Sequence, residues 1–131
     1  MKQLALAAAL ALAGCVSPPQ ACVAPLKPAA EVNLYFGRDT ATGQVSDAEW
    51  ASFLADEITP HFPDGLTVLD VSGQFRDPTG CIVRERTKLL VVVVFDPPSH
   101  LPKVAAIVDA FHKRHGQHSV FRTEQAVCAG S

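Results

Sequence analysis

Lys88-Leu89-Leu90-Val91-Val92-Val93-Val94-Phe95 is the stretch that decides the fold, and Asp96-Pro97-Pro98 ends it. Its seven consecutive apolar residues are far fewer than the roughly 20 that a membrane-spanning helix needs. A continuous apolar run rich in β-branched residues is typical of a strand that is buried on both faces, in the interior of a sheet. We therefore predict a central strand here, with the other elements as its neighbours or its covering.

The sequence before this stretch predicts two strands with a helix between them. Residues 31–36 alternate apolar and polar side chains and predict a first strand. Ser46-Asp47-Ala48-Glu49 has the spacing of a capping box, and the amphipathic helix that it starts ends at Pro60. Residues 66–76 predict a second strand. Because Asp77-Pro78-Thr79-Gly80 is a tight-turn sequence, this strand should pair antiparallel with the central one.

A second helix and a last strand follow the central stretch. Ser99 is placed to cap the helix, Pro102 lies in its permitted first turn, and Gly116 closes it. Residues 118–128 then predict the last strand. The order β-α-β-β-α-β with right-handed crossovers predicts an α+β, ferredoxin-like sandwich, in which two helices cover one face of a four-stranded antiparallel sheet. The expected order of the strands across the sheet is 4-1-3-2.

The first 30 residues predict a cellular address. Lys2 and the apolar residues 4–13 form the charged start and short core of a secretory signal. Leu12-Ala13-Gly14-Cys15 resembles the lipobox of bacterial lipoproteins, whose cysteine receives a diacylglycerol before cleavage. The alternative is an ordinary cleaved signal with an incidental cysteine.

This interpretation divides the chain into three parts and gives it a location. Residues 1–14 are the lipoprotein signal peptide, 15–30 hold the lipidated Cys15 and a Pro-rich tether, and 31–131 form a single α+β domain. We predict a cell-envelope protein with palmitate-type acylation that faces the periplasm. The outer membrane is favoured, because Val16 rather than Asp follows the anchored cysteine.

Composition and motifs exclude several classes of function. The 131 residues are 48% hydrophobic and 18% charged, with a formal net charge of −2, which indicates a folded core and no basic footprint for nucleic acid. His112, His115 and His118 have no accompanying ligand cluster, so we predict no metal. The sequence has no nucleophile elbow and no phosphate-binding glycine loop, and we predict no cofactor.

Glu85 is the candidate for chemistry in the central hairpin. The apolar pattern predicts that it lies opposite Gly73, on the helix-covered side of its strand together with Leu89, Val91, Val93 and Phe95. One interpretation is an acid/base group, with an arginine from Arg38, Arg76 or Arg84 holding an anionic small molecule. The other, commoner one is a structural carboxylate with a hydrogen-bonded partner.

The opposite face of the hairpin is predicted to be open and basic. It would carry Arg76, Arg84, Arg86 and Lys88 with Leu90, Val92 and Val94, and Asp70 would lie near Lys88. Such a face could bind an anionic ligand or lipid headgroup, stay solvated, or pair with a second copy in a homodimer.

Three cysteines remain once Cys15 is assigned to lipid. We expect Cys22, Cys81 and Cys128 to lie at one end of the sheet, in an oxidising compartment. The preferred disulfide joins Cys22 to Cys128 and leaves Cys81 free. A three-thiolate metal site is the less favoured alternative.

Most of the predicted domain resembles the family named domain of unknown function 3574. The resemblance rests on Val45-Ser46-Asp47-Ala48-Glu49-Trp50, Thr59-Pro60-His61-Phe62-Pro63-Asp64-Gly65-Leu66-Thr67, Gly73-Gln74-Phe75-Arg76 and Arg84-Glu85-Arg86. It implies a small secreted or lipid-anchored bacterial protein and supplies no catalytic residues. The sequence therefore predicts a membrane-tethered binding or interaction module, whose partner is a small molecule or an envelope protein. The alternative is a small enzyme.

Overall fold

The computed structural model describes residues 21–116 and 120–131. The predicted signal peptide, residues 15–20 of the predicted tether with Cys15, and His118 lie outside the described residues. The elements are β1 (Lys27–Gly37), β2 (Asp39–Thr40), β3 (Gly43–Gln44), α1 (Asp47–Phe53) with a π-helical continuation (Leu54–Ile58), β4 (Thr67–Arg76), β5 (Ile82–Val94), α2 (His100–His115) and β6 (Val120–Ala129).

Four of the strands form one antiparallel sheet in the order β4-β5-β1-β6. The valine-rich strand β5 pairs with β1 on one side and with β4 on the other, so its place in the sheet interior is confirmed. Both helices contribute to a single core with one face of this sheet. The α+β, ferredoxin-like arrangement predicted from the order of elements is therefore the observed one.

An aromatic cluster fixes the helices on the sheet. The ring of Phe36 in β1 lies 5.2 Å from that of Trp50, 6.0 Å from Phe53 and 4.9 Å from Phe111, measured between centroids. These rings come from β1, α1 and α2, and each is at least 96% buried. Aromatic side chains of this size contribute much of the apolar area that a small domain removes from water.

The hairpin register is as predicted, but the face of the sheet that the helices cover is not. Gly73 pairs with Glu85 and Asp70 with Lys88. The even-numbered Leu90, Val92 and Val94 are at most 6% exposed and belong to the core, whereas Val93 is 39% exposed. The prediction that odd-numbered residues of β5 face the helices was therefore wrong. Leu-Leu followed by four valines is apolar on both faces, so alternation could not decide between them.

The helix ends agree only in part with their predicted caps. Ser46 and Glu49 form the complete capping box of α1, with the Ser46 amide 2.8 Å from the Glu49 carboxylate. Gly116 ends α2 in the left-handed conformation, at φ 64°. Ser99, in contrast, has helical backbone angles, and its side chain makes no capping hydrogen bond. The predicted cap at Ser99 was therefore wrong.

The cysteines confirm the predicted disulfide but not the predicted clustering. Cys22 is bonded to Cys128, and Cys81 is free and exposed. β1 begins at Lys27, within the segment assigned to the tether, and pairs there with the end of β6. Because β5 runs antiparallel to β1, the hairpin tip that carries Cys81 lies beyond the far end of β1. The three thiols therefore do not share one end of the sheet.

Candidate functional site

Two buried cations lie where the helices stop covering the sheet. Lys88 of β5 is 7% exposed and Arg38, directly after β1, is 4% exposed. The Lys88 ammonium is 2.7 Å from a carboxylate oxygen of Asp70 and 3.2 Å from one of Asp47. Both carboxylates are largely exposed, so the buried cations are neutralised from the solvent side.

Backbone pairing at the end of β1 holds Arg38 in this position. Its amide donates to the Arg86 carbonyl at 3.0 Å, and its own carbonyl accepts from the Val45 amide at 2.8 Å. The Arg38 Nε donates to the Val45 carbonyl at 2.8 Å. Its Nη1 is 3.0 Å from Asp47 as an ion pair, without the geometry of a hydrogen bond. The Lys88 hydrogen bond, followed by the charge of Arg38, lowers the pKa of Asp47.

A basic groove continues along the same face of the hairpin. We call it the hairpin groove; its volume is about 480 Å³, and it is lined by Gln44, Ser72, Gly73, Gln74, Arg84, Glu85 and Arg86. The two arginines are exposed. Within the described residues, no carboxylate comes within ion-pairing distance of either guanidinium. Two arginines, Ser72 and two glutamines thus line one groove of small-ligand size, together with Glu85 and Gly73.

Glu85 also lines the hairpin groove, but its carboxylate lies on the opposite face of the sheet from the two guanidinium groups. Its carboxylate lies over Gly37 and accepts a hydrogen bond from the Asp39 amide at 3.3 Å. A β-carbon at Gly37 would lie only 2.1 Å from a carboxylate oxygen of Glu85, so this contact requires glycine. Gly73 pairs with Glu85 across β4 and β5, and the absence of a side chain at Gly73 leaves space there, as predicted. Glu85 is half-buried and belongs to the uncovered side.

The structure does not bring the three predicted catalytic candidates together. The Arg38 side chain turns toward Val45 and Asp47 under the helices. Arg76 is the last residue of β4, is exposed, and pairs with Ile82. The carboxylate of Glu85 lies on the other face. A catalytic role for Glu85, Arg38 or Arg76 therefore stays a prediction, and the geometry gives more support to Arg84 and Arg86 as binding residues.

A second groove lies at the opposite end of the hairpin. We call it the Pro60 groove; its volume is about 860 Å³, and it is lined by residues 60–67, the end of β5 and Lys103. The Lys103 ammonium lies 5.7 Å from the centroid of the Phe62 ring, a cation–π distance. From the sequence, residues 61–65 predict only a turn. Local pattern does not show that this turn packs against the end of β5, because that contact depends on the pairing of β4 with β5.

Another contact that the sequence did not suggest joins α2 to β6. His100 is 3% exposed, and its Nε2 is 3.0 Å from a carboxylate oxygen of Glu124, which also pairs with Arg122. His115, near the end of α2, is packed against Phe53 and Phe111, and burial lowers its pKa. Within residues 21–116 and 120–131, no group of three or more His, Cys, Asp or Glu is placed to hold a metal ion. Among the described helices, none combines the length and apolarity needed to cross a bilayer.

A four-stranded antiparallel sheet, two helices on one face and a basic groove at the hairpin define a small ferredoxin-like domain. The family described as protein of unknown function (DUF3574) matches residues 31–130, and the chain belongs to this family. Among solved structures, the chain is similar to a phage SAM lyase in complex with S-methyl-5′-thioadenosine. The TM-score is 0.59 at 13% identity, over 77% of this chain and 90% of that chain, which shows a shared fold. The comparison with curated proteins gave no match.

Proposed function

We propose that this protein is a lipid-anchored envelope module that binds a small anionic ligand in the hairpin groove. The observation that carries the proposal is the pair of guanidinium groups, Arg84 and Arg86, which line the groove with no carboxylate of the described residues within ion-pairing distance. Exposed arginines on a solvated face usually find opposite charges on the neighbouring strand. Here the residues across from them on β4 are Gln74 and Ser72, which carry no charge.

The chemistry of the lining favours carboxylate or phosphate. A guanidinium presents a planar fork of N–H donors that matches two oxygens of either group. The Ser72 hydroxyl and the Gln44 and Gln74 amides add donors around the same volume. Lys88 and Arg38, further along the same side, are neutralised by Asp70 and Asp47, so the attraction for an anion rests on Arg84 and Arg86. A volume of about 480 Å³ suits a ligand of metabolite size.

Direct titration with two anions tests this proposal. The full chain with Cys15→Ser, which removes the acylation site, is titrated calorimetrically with succinate and with inorganic phosphate. We expect binding of at least one probe, and a loss of at least about tenfold in affinity when Arg84 and Arg86 are both changed to Gln. Lys103→Gln is the matched control, because Lys103 is a cation that lines the Pro60 groove instead. Equal affinity in the double variant would overturn the assignment of the groove.

The proposed location in the cell envelope rests on Cys15 and on the signal sequence that precedes it. Two or three acyl chains anchor a protein stably, at about 0.8 kcal/mol per buried methylene. Cells grown with radioactive palmitate should label the protein, and mass spectrometry should find Cys15 as its first residue. Cys15→Ser should abolish the label. Labelled protein in the outer-membrane fraction would support the location proposed above, whereas an unlabelled, periplasmic wild-type protein would refute it.

A small enzyme is the second candidate function, and the fold shared with a phage SAM lyase is the observation that favours it. The chain would be incubated with S-adenosylmethionine, and chromatography would follow the release of S-methyl-5′-thioadenosine. Release that disappears in Glu85→Gln, and weakens in Arg76→Gln, would support the catalytic candidates predicted from the sequence. No release by the folded wild-type chain would exclude this substrate.

A further inference from the structure

The face of the sheet away from the helices carries four of the nine large apolar side chains that are exposed in the described residues. In all four strands its residues have odd numbers, because the even-numbered residues pair with one another on the helix side. We call it the open face. Leu69, Phe75, Val93 and Phe121 on it are 39–66% exposed. Six further apolar side chains on it are half-buried: Tyr35, Val71, Val83, Leu89, Val91 and Val127.

The open face carries fewer charged residues than the helix side, whereas the solvent-facing side of a sheet normally carries more. Along the described strands, the helix side carries seven charged residues: Asp70, Arg76, Arg84, Arg86, Lys88, Arg122 and Glu124. The open face carries three: Lys27, Glu31 and Glu85. Glu31 accepts hydrogen bonds from Asn33 at 3.0 Å and Gln125 at 3.1 Å, so it is already satisfied within the face. An antiparallel sheet that faces water normally has a polar outer side.

These apolar side chains form one surface rather than scattered single residues. Four of the ten are 39–66% exposed and six are half-buried, and a contiguous apolar patch of more than a few hundred Å² on a soluble protein marks an interaction site. The Tyr35 and Phe121 rings, 5.7 Å apart, form an aromatic pair at one edge of the face. Tyr and Phe are enriched at the centres of interfaces.

We propose that the open face binds a second copy of this chain, so that two sheets pack face to face. A two-fold axis through the face would bring Leu89 and Val91 to the centre, with the sheets about 10 Å apart. The face has one lysine against two glutamates, so two copies meet with little repulsion, and it lacks the basic cluster that draws a protein to anionic lipid. Arg84 and Arg86, which carry the proposed ligand site, lie on the other side of the sheet, so this inference does not rest on that ligand.

Sedimentation velocity of the full chain with Cys15→Ser tests the dimer. We expect the mass of two chains at micromolar concentration. Leu69→Asp should raise the dimer dissociation constant by at least about 100-fold, because association would bury an unpaired carboxylate on each copy. Leu101→Asp is the matched control: Leu101 is 41% exposed on α2, against 43% for Leu69, and lies away from the open face. It should leave the dimer unchanged.

A second variant and two opposing outcomes complete the test. If circular dichroism shows that Leu69→Asp fails to fold, Phe121→Asp carries the test, because Phe121 is 66% exposed on another strand of the same face. A folded wild-type chain that stays monomeric at high micromolar concentration overturns the proposal. So does a dimer that both variants leave intact. Monomers that bind neutral phosphatidylcholine vesicles, and lose that binding in Leu69→Asp, would assign the face to lipid instead.

Discussion

The Cys22–Cys128 disulfide should supply a large share of the stability of this domain. The two cysteines are 106 residues apart in the sequence, so the bond closes a loop that spans most of the chain. The entropy that an unfolded chain loses when a loop of this length is closed corresponds to about 4–5 kcal/mol at 25 °C. Domains of this size have about 5–15 kcal/mol in total. We therefore expect the bond to decide whether the domain stays folded at growth temperature.

Equilibrium urea unfolding measures this contribution. Trp50 is the single tryptophan, is 4% exposed, and reports the core by fluorescence. Cys22→Ser in a Cys81→Ser background should lower the free energy of unfolding by about 4–5 kcal/mol relative to Cys81→Ser alone. Cys81→Ser itself should change it by less than about 0.5 kcal/mol, because that thiol is free and exposed. A loss below about 1 kcal/mol at an unchanged urea slope would refute the loop-closure reasoning.

Three further predictions concern single contacts. Gly37→Ala should destabilise the domain by about 1–2 kcal/mol, because the new methyl displaces the Glu85 carboxylate from its backbone hydrogen bond. In a Glu85→Ala background, where that bond is already absent, urea unfolding should show little further loss from Gly37→Ala, and a full additive loss would contradict this reasoning. The pKa of Asp47 is lowered, mainly by the hydrogen bond from Lys88. Its contribution to stability is therefore complete above the unfolded pKa and falls as the pH drops through the folded value, below about pH 4. Asp47→Asn should remove that part of the acid dependence, and an identical acid limb in both proteins would contradict the assignment. Ser46→Ala breaks the capping box and should lower the free energy of unfolding by about 1 kcal/mol, measured by thermal circular dichroism. An unchanged free energy of unfolding in this variant would contradict the prediction.

Local pattern was sufficient to predict the two helices and the four strands of the main sheet, together with their order. The capping box, the tight turn at residues 77–80 and the valine-rich stretch each define one element from nearby residues alone. With four strands, two helices and right-handed crossovers, few topologies remain, and the observed strand order is the expected one. The disulfide followed because the cysteines at the two ends of the domain can meet where β1 pairs with β6.

Orientation of the hairpin could not be predicted because the deciding residue is a buried lysine. Leu90, Val92 and Val94 lie on the same side as Lys88, which a sequence argument assigns to solvent. Its ammonium reaches Asp70 across the strand and Asp47 at the start of α1, a partner 41 positions away in the chain. The hairpin groove was missed for a similar reason. Gln44 of β3 lines it, and the sequence around Gln44 indicated only a loop.

The disulfide also limits how far the folded part can stand from a membrane. If Cys15 is acylated, only residues 16–21 lie between the anchored residue and Cys22, and seven backbone steps reach at most about 25 Å. β1 runs from this end toward Gly37, and the tip of the β4–β5 hairpin lies beyond it. With Cys15 acylated as proposed, this short segment would keep the Pro60 end of the domain nearest the lipid headgroups and would hold Arg84 and Arg86 on the side away from the membrane.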